Sequence, residues 1–225
     1  MKTSKLYFII IIALFVFISY SYCQANELEK KFIKAGLIDV HVIDKSIKVD
    51  LVNSDPDKNF FRENFYNGLN KAYLRETIAK KLSLAQKHLK SEFPEYSILI
   101  MDAARPRSVS QLMYDKMQGT KFEKYVANPK KGSMHNYGIA VDVTIVDGNG
   151  KEIDMGFTPF YKNNLSIYWN YAKLKVFDLS ETQTRNRSLL SKAMKKAGFI
   201  PLSYEWWHFN GMPKDEARKK YQIVE

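Results

Sequence analysis

The spacing of apolar positions changes along the chain and separates short strands from amphipathic helices. Apolar and polar residues alternate from Ile38 to Val42 and from Ile47 to Leu51, which predicts two strands after a short helix that ends at Gly36. From Lys71 to Lys90 apolar residues recur at helical spacing, so an amphipathic helix is predicted there, ended by Pro94. The first half of the chain therefore mixes both kinds of element.

The second half continues this mixture without a regular strand-helix-strand rhythm. The further predicted elements are strands at 97–101, 139–145 and 206–209, a helix at 109–117 capped by Ser108, and a helix at 189–197 stopped by Gly198. The sequence Asp147–Gly150 after the second of these strands is typical of a β-hairpin turn. This irregular order favours one α+β domain over a parallel α/β sheet.

The chain opens with an apolar run from Leu6 to Ile18, which follows two lysines and precedes several small residues. This order is typical of a secretory signal peptide, so residues 1–23 are predicted to be a leader and residues 24–225 a single exported, periplasmic domain. The run is shorter than the ~20 residues that cross a bilayer, which disfavours a membrane anchor. No stable membrane span is expected once the leader is removed.

Cysteine content and charge narrow the chemistry further. Cys23 is the only cysteine, so the domain beyond it has no disulfide and no thiolate to offer a metal. The alternative is that cleavage leaves Cys23 as a lipid-bearing N-terminal residue, but such processing needs a small residue before the cysteine and Tyr22 is bulky. The formal charge of +11 comes from basic residues spread along the whole chain, and no cluster indicates nucleic-acid binding. Attraction to an anionic envelope is one interpretation of this charge, and an ordinary solvated surface is the favoured one.

Two histidines and an aspartate stand in motifs that suit zinc. His135 and Asp142 flank Gly138, which lets the backbone turn between a loop ligand and a strand ligand, and His208 lies on the last predicted strand. Catalytic zinc sites commonly use three such nitrogen and oxygen ligands and keep one position open. The other two of the four histidines lie in ordinary amphipathic segments. The sequence therefore predicts one zinc ion on His135, Asp142 and His208.

Two charged residues near these ligands are candidates for catalysis. Glu205 stands three residues before His208 and can take a proton from an attacking water and pass it to a leaving amine. The alternative is that Glu205 is a further ligand or orients an imidazole. Arg105 precedes Pro106, which stiffens the turn, and a fixed guanidinium can stabilise an oxyanion. A salt bridge from Arg105 to Asp102 is the alternative for this residue.

These motifs resemble those of the D-alanyl-D-alanine dipeptidases, the VanX-like zinc peptidases, within a wider group of zinc D,D-carboxypeptidases that share the pattern SxHxxGxAxD. The resemblance covers essentially the whole chain after the leader, and the Glu-Trp-Trp-His form is similar to that of the dipeptidase branch. The matching positions are Val49–Leu51, Asn59–Phe60, Tyr66, Asp102, Arg105–Pro106, Ser133–Asp142, Asp154–Gly156, Ala197–Phe199 and Glu205–Phe209.

The resemblance implies a zinc D,D-peptidase domain of the Hedgehog/DD-peptidase-like type, with a central antiparallel sheet flanked by helices. The implied reaction is zinc-dependent hydrolysis of D-Ala-D-Ala to two D-alanines in the turnover of peptidoglycan peptides. Glu205 would be the general base, and Arg105 would stabilise the tetrahedral intermediate. Ser133 matches a position that helps to hold the substrate's C-terminal carboxylate. One of Trp206 and Trp207 is expected in the core and the other beside the substrate, and Trp207 is assigned to the substrate.

Two features depart from the family's pattern. Its best-known members act in the cytoplasm, whereas this chain carries a predicted export signal, so recycling of wall fragments is expected instead. The family commonly has an aspartate after a phenylalanine that here is Phe160; Tyr161 follows it, and a neutral phenol can accept a hydrogen bond from the substrate's ammonium but forms no ion pair. Selectivity for the dipeptide is therefore open. A D,D-carboxypeptidase that trims longer stem peptides and, less favoured, a non-catalytic wall-peptide-binding module remain as alternatives.

Overall fold

The computed structural model describes residues 27–120, 123, 128–156, 179–203 and 205–225. The helices of this part of the chain are α1 (27–34), α2 (Glu76–Glu92), α3 (Arg107–Met117), α4 (Glu181–Lys196) and α5 (Lys214–Lys220). Its strands are β1 (Leu37–Asp39), β2 (Lys48–Val49), β3 (Tyr73–Arg75), β4 (Ser97–Asp102), β5 (Ala140–Val146), β6 (Ile200–Leu202) and β7 (Glu205–Asn210). The predicted leader, with Cys23, lies outside the described residues.

Five of these strands form one sheet in the order β2-β4-β5-β7-β6. The β2–β4 pair is parallel, and the other three pairs are antiparallel. The remaining strands, β1 and β3, pair antiparallel in a small second sheet. The α+β class and the central, mainly antiparallel sheet are therefore confirmed.

The core lies between the sheet and the helices α2 and α4, which also pack against each other. The helical spacing of Ile78, Leu82 and Leu89 directs all three side chains of α2 inward, where they are fully buried with Ile98 and Ile100 of β4. Burial of each such side chain contributes roughly 1.5–3 kcal/mol. This packing gives the central strands a rigid support. Among the described residues, none of the helices has the length and apolar composition needed to cross a bilayer.

The helix predicted from residue 71 begins later than its hydrophobic spacing indicates. Tyr73–Arg75 pairs with Leu37–Asp39 as a strand, and the Arg75 N–H donates to the carbonyl of Gly138 at 2.9 Å. Backbone pairing with a distant segment therefore overrides the local helical pattern, and α2 starts only at Glu76.

Other predicted boundaries are also wrong. The helix predicted at 189–197 begins at Glu181, where Ser180 caps it, and the strand predicted at 47–51 is only Lys48–Val49. The segment 38–42 is only partly a strand, because Val40–Val42 forms a 3-10 turn capped by the carboxylate of Asp39. Ser108 does not cap α3, because the N-cap position is occupied by Pro106, whose side chain has no hydrogen-bonding atom. Proline suits a helix start, where its missing N–H costs nothing.

The three central strands bring distant segments of the chain side by side. The predicted strands at 97–101, 139–145 and 206–209 are confirmed as β4, β5 and β7. In the sheet register, Asp142 of β5 lies opposite Asp102 of β4 on one side and opposite His208 of β7 on the other. The polar residues singled out from the sequence thus meet at one end of the sheet.

Candidate metal centre and active site

The sheet and one short helix bring the three predicted metal ligands together. Asp142 and His208 are direct partners on β5 and β7, and His135 lies in a 3-10 helix, Met134–Tyr137, just before β5. This helix ends at Gly138, whose φ of 68° is left-handed and favours glycine. All three ligand side chains are buried.

The donor atoms of these residues form a small triangle. His135 Nε2 lies 3.2 Å from His208 Nδ1, His208 Nδ1 lies 3.0 Å from Asp142 Oδ1, and His135 Nε2 lies 3.4 Å from the same Oδ1. Tetrahedral zinc with bonds of ~2.0–2.1 Å holds neighbouring ligand atoms about 3.4 Å apart. The triangle therefore has the dimensions of three zinc ligands with a fourth position left over.

Hydrogen bonds on the far side of each ring fix which imidazole nitrogen faces the centre. The His135 Nδ1–H donates to the carbonyl of Ala103 at 2.7 Å, and the His208 Nε2–H donates to Asn210 Oδ1 at 3.1 Å. Each ring then presents a lone pair to its neighbour and to the Asp142 carboxylate. Such a group of acceptors is stable around a cation, so the residues present fit the predicted zinc.

The charges of these groups reinforce one another. Burial raises the pKa of Asp142, but the imidazoles of His135 and His208 lower it by more, so this pKa lies below its ordinary value. Burial lowers the pKa of His208, yet Asp142, Glu205 and Asn210 together outweigh this effect and raise that pKa. Asp142 is therefore an ionised ligand at neutral pH.

Glu205 lies beside the ligand triangle at the start of β7. Its Oε2 is 3.7 Å from His208 Nδ1, and 22% of its side chain is exposed. The group of described residues that can share one metal ion consists of His135, Asp142 and His208, without Glu205. A partly exposed carboxylate next to three buried ligands can exchange a proton with a water or a substrate. Its role as general base stays a prediction that this geometry supports.

Arg105 is held beside residues 134–138, the segment that carries His135 and is called the ligand loop below. Its Nε donates to Asp102 Oδ2 at 3.0 Å, and its Nη2 contacts the same oxygen. Its backbone N–H donates to the carbonyl of His135 at 3.1 Å, which ties the arginine to the ligand loop. Burial lowers the pKa of Arg105, but the charge and hydrogen bonds of Asp102, together with Tyr66 and Asp142, raise this pKa by more, so the guanidinium stays charged. The salt bridge is thus present, and the oxyanion role stays a prediction.

The three predicted substrate-binding residues have different surroundings. Ser133 is half-buried at the N-cap of the 3-10 helix, where its Oγ accepts a long hydrogen bond of 3.4 Å from the His135 N–H. Trp207 is the buried member of the tryptophan pair and packs against Val52 and Met101. Tyr161 lies outside the described residues. The surroundings of Trp207 are those of a core residue, and its substrate role stays a prediction.

Several supporting residues of the site carry no sequence signal. The Ala103 carbonyl is a backbone group, so no residue type marks it, and Asn210 stands at the end of β7 outside the Glu-Trp-Trp-His motif. Asn136 was part of the motif but had no predicted role. Its buried amide donates to the Arg105 carbonyl at 2.8 Å and its Oδ1 accepts from the Ser133 N–H at 2.6 Å. It therefore links the arginine to the ligand loop.

The last residues of the chain pack behind the same loop. The Val224 N–H donates to the carbonyl of Asn136 at 2.8 Å, and the Val224 carbonyl accepts from the Arg107 N–H at 2.7 Å. The Val224 side chain is buried, and the Glu225 carboxylate pairs with the Arg107 guanidinium. This brace joins positions that are far apart in sequence, so no local pattern predicts it.

Comparison with known proteins identifies the family. A family profile described as D-Ala-D-Ala dipeptidase matches residues 34–224. A D-alanyl-D-alanine dipeptidase of Escherichia coli (strain K12) is 30% identical over 134 residues, which cover 59% of this chain and 61% of that protein. One from Synechocystis is 30% identical over 179 residues, covering 64% of this chain and 71% of that protein, and one from Enterococcus faecalis is 23% identical over 149 residues, covering 59% and 71%. The chain thus spans less than two thirds of the Escherichia coli relative.

Two solved structures show a more distant likeness. The LdcB LD-carboxypeptidase is 20% identical with a TM-score of 0.37, and the match covers 65% of this chain and 63% of that one. The vancomycin-resistance D,D-pentapeptidase VanY is 15% identical with a TM-score of 0.34, covering 67% and 79%. Because the profile match extends over nearly the whole described chain, from residue 34 to residue 224, the chain belongs to the D-Ala-D-Ala dipeptidase family of peptidases.

Proposed function

We propose that this chain is a zinc-dependent peptidase that hydrolyses D-alanyl-D-alanine to two D-alanines in the turnover of peptidoglycan peptides. The observation that carries the proposal is the triangle of His135, Asp142 and His208 donor atoms, 3.0–3.4 Å apart, with the Glu205 carboxylate beside it. Bound zinc supplies a Lewis acid that polarises a carbonyl and makes water a better nucleophile. The family assignment and the dipeptidase activity of the named relatives support this substrate.

Two side chains carry the proton and charge chemistry of the proposed reaction. Glu205 accepts a proton from the water whose oxygen attacks the peptide carbonyl, and it returns that proton to the nitrogen of the leaving D-alanine as the C–N bond breaks. Arg105 offers a fixed positive charge to the oxygen that becomes negative during attack. Its rigid pairing with Asp102 keeps that charge in one direction.

Three further residues are proposed to bind the substrate. Ser133 borders the ligand loop and offers a hydroxyl to the substrate's C-terminal carboxylate. Tyr161 stands where relatives commonly have an aspartate, so its neutral phenol holds the substrate's amine less strongly than an ion pair would. Trp207, which is buried against Val52 and Met101, stays the predicted aromatic residue of the substrate pocket. A weaker hold on the free amine makes a D,D-carboxypeptidase that trims longer stem peptides the second candidate function.

A substrate panel separates these candidates from each other and from a binding module. Purified zinc-loaded protein is incubated with D-Ala-D-Ala, L-Ala-L-Ala and a wall pentapeptide ending in D-Ala-D-Ala, with and without chelator, and products are identified by mass spectrometry. Release of D-alanine from the dipeptide, abolished by chelator, is expected. Cleavage of the pentapeptide alone would sink the dipeptidase proposal, and binding without cleavage of any peptide would indicate a non-catalytic module.

We also propose that the protein is exported to the periplasm. The apolar run at residues 6–18 and the small residues after it support a cleaved leader. The partners are then small peptides of the wall, with no nucleic acid and no stable membrane span after cleavage. Mass spectrometry of the protein from the periplasmic fraction should give an N-terminus near residue 24. A lipid mass on Cys23 would establish an anchored form instead, and an intact Met1 in the cytoplasm would contradict export.

A further inference from the structure

Asp102 is a buried carboxylate with more hydrogen-bond donors than its salt bridge requires. Its side chain is 0% exposed. Oδ2 accepts from the Arg105 guanidinium and from Asn53 Nδ2 at 3.1 Å. Oδ1 accepts from the Tyr66 hydroxyl at 2.7 Å and from the Ala103 N–H at 3.0 Å. Every lone-pair direction of this carboxylate is thus used, which fixes its orientation.

Tyr66 is one of the donors to Asp102 that have no role in the proposed reaction. It lies 36 residues before Asp102 in the sequence, its ring is 1% exposed within the main core, and its hydroxyl reaches the carboxylate from there. Burial and then the charge of Asp102 raise the pKa of Tyr66 well above its ordinary value, so the phenol keeps its proton. The packed ring therefore holds its protonated hydroxyl in place as a hydrogen-bond donor to Asp102 Oδ1.

The two oxygens of Asp102 serve both sides of the candidate site. Through Oδ2 the carboxylate orients Arg105, which is the predicted oxyanion-stabilising residue. Through Oδ1 it holds the N–H of Ala103, whose carbonyl in turn accepts from His135 Nδ1 at 2.7 Å. We infer that Tyr66, assisted by Asn53, is a positioning residue that acts through Asp102 on the guanidinium of Arg105. The kinetic part of this inference rests on the proposed peptidase function.

Loss of the Tyr66 hydroxyl should change the orientation of the Asp102 carboxylate. Without the Tyr66 hydroxyl, the buried Oδ1 accepts only from the Ala103 N–H. A buried carboxylate oxygen that lacks a donor is costly, so the carboxylate is expected to rotate toward other donors. The Arg105 guanidinium is paired with this carboxylate, so it would turn with it and leave the direction that suits the developing oxyanion. The metal ligands keep their own partners, so zinc binding should survive.

The test is Tyr66→Phe, with Tyr73→Phe as its matched control. Tyr73 is also buried, and its hydroxyl also donates to a carboxylate, that of Glu29. In Tyr73→Phe, Glu29 would still accept a hydrogen bond from Lys71, just as Asp102 would still pair with Arg105 in Tyr66→Phe. Loss of one hydrogen bond to a charged group predicts that kcat of Tyr66→Phe falls about tenfold or more, with KM and zinc content little changed. Tyr73→Phe should lose a similar amount of thermal stability and keep its kcat. Equal kcat values for the two variants would overturn the inference.

A double-variant cycle asks whether the effect passes through the arginine. In an Arg105→Lys background the lysine cannot repeat the two-nitrogen contact with Asp102, so Tyr66→Phe should reduce kcat by much less than in the wild-type background. An undiminished effect in that background would show that Tyr66 acts by another route and would overturn the assignment.

A spectroscopic measurement keeps the inference separate from the proposed function. If the wild-type protein cleaves none of the peptides, the function fails but the positioning is still measurable. The ¹⁵Nε–¹Hε signal of Arg105, assigned by its loss in Arg105→Lys, should shift in Tyr66→Phe and stay in place in Tyr73→Phe. An unmoved signal in Tyr66→Phe would refute the positioning role whatever the activity.

Discussion

Glu205 differs from the three ligands beside it in being partly exposed and farther from the shared centre. Glu205→Gln keeps the size of the side chain but removes its ability to take a proton. We expect kcat to fall by at least about 100-fold, the usual contribution of a general base, while one zinc per chain remains bound. Turnover and metal analysis of the same sample provide the measurement. Glu95→Gln, at an exposed glutamate, is the control; equal activity of the two variants would remove Glu205 from the reaction.

The pKa values of two ligands predict how zinc binding depends on pH. Burial lowers the pKa of His208, but Asp142, Glu205 and Asn210 together raise it by more, whereas the pKa of Asp142 itself is lowered. As the pH falls, the proton therefore reaches His208 first, and a protonated imidazole cannot bind metal. Zinc should be retained at neutral pH and lost through the histidine range, before Asp142 is neutralised.

Dialysis against zinc-free buffers between about pH 8 and pH 4, followed by metal analysis, measures this curve. His88→Gln changes a histidine outside the site and should leave the curve in place. Full zinc retention at about pH 4 would contradict competition between the proton and the metal at His208.

At the scale of elements, the sequence predicted the helices and strands whose local residue pattern is enough to form them. The motif around His135 and the strand that carries Asp142 could be identified because turn residues and alternation act locally. The strand Tyr73–Arg75 could not, since it forms through pairing with Leu37–Asp39 and was hidden in a helical pattern. The hydrogen bond from Tyr66 to Asp102 likewise exists only after folding, because it joins the core to the end of β4.

The 3-10 helix and β5 meet at Gly138, which makes this junction sensitive to a single methyl group. A Cβ at Gly138 would lie 2.6 Å from Leu37 Cδ2 in a left-handed backbone with φ of 68°. The control is Gly68→Ala, where φ is 77° but no atom lies within 4 Å of the new Cβ. The backbone penalty alone is roughly 1–2 kcal/mol, and overpacking adds roughly 1–3 kcal/mol.

Gly138→Ala should therefore lower the free energy of unfolding by more than Gly68→Ala does. It should also weaken zinc binding, because the junction sets the direction of the His135 loop. Denaturant unfolding and zinc titration of both variants check this expectation. Equal losses of stability would show that Leu37 moves aside without cost.

At the scale of the whole molecule, the candidate metal centre is the point where separate parts of the fold meet. His135 comes from a loop that the C-terminal residues brace, and Asp142 and His208 come from neighbouring strands whose other ends are held by the α2 and α4 core. A metal ion bound there cross-links segments that are distant in the sequence. Its binding energy therefore adds to the stability of the complete domain and not only to that of one loop.

Removal of zinc should consequently destabilise the protein as a unit. A ligand that binds only the folded state at 100 times its Kd stabilises it by roughly 2.7 kcal/mol, which for a chain of this size corresponds to a Tm change of about 5–10 °C. We expect chelator to lower the Tm by this amount and added zinc, but not magnesium, to restore it. His208→Ala should lose this response and His88→Gln should keep it. A wild-type Tm that stays constant while metal analysis shows complete removal of zinc would mean that the three ligands are held in place by the protein alone.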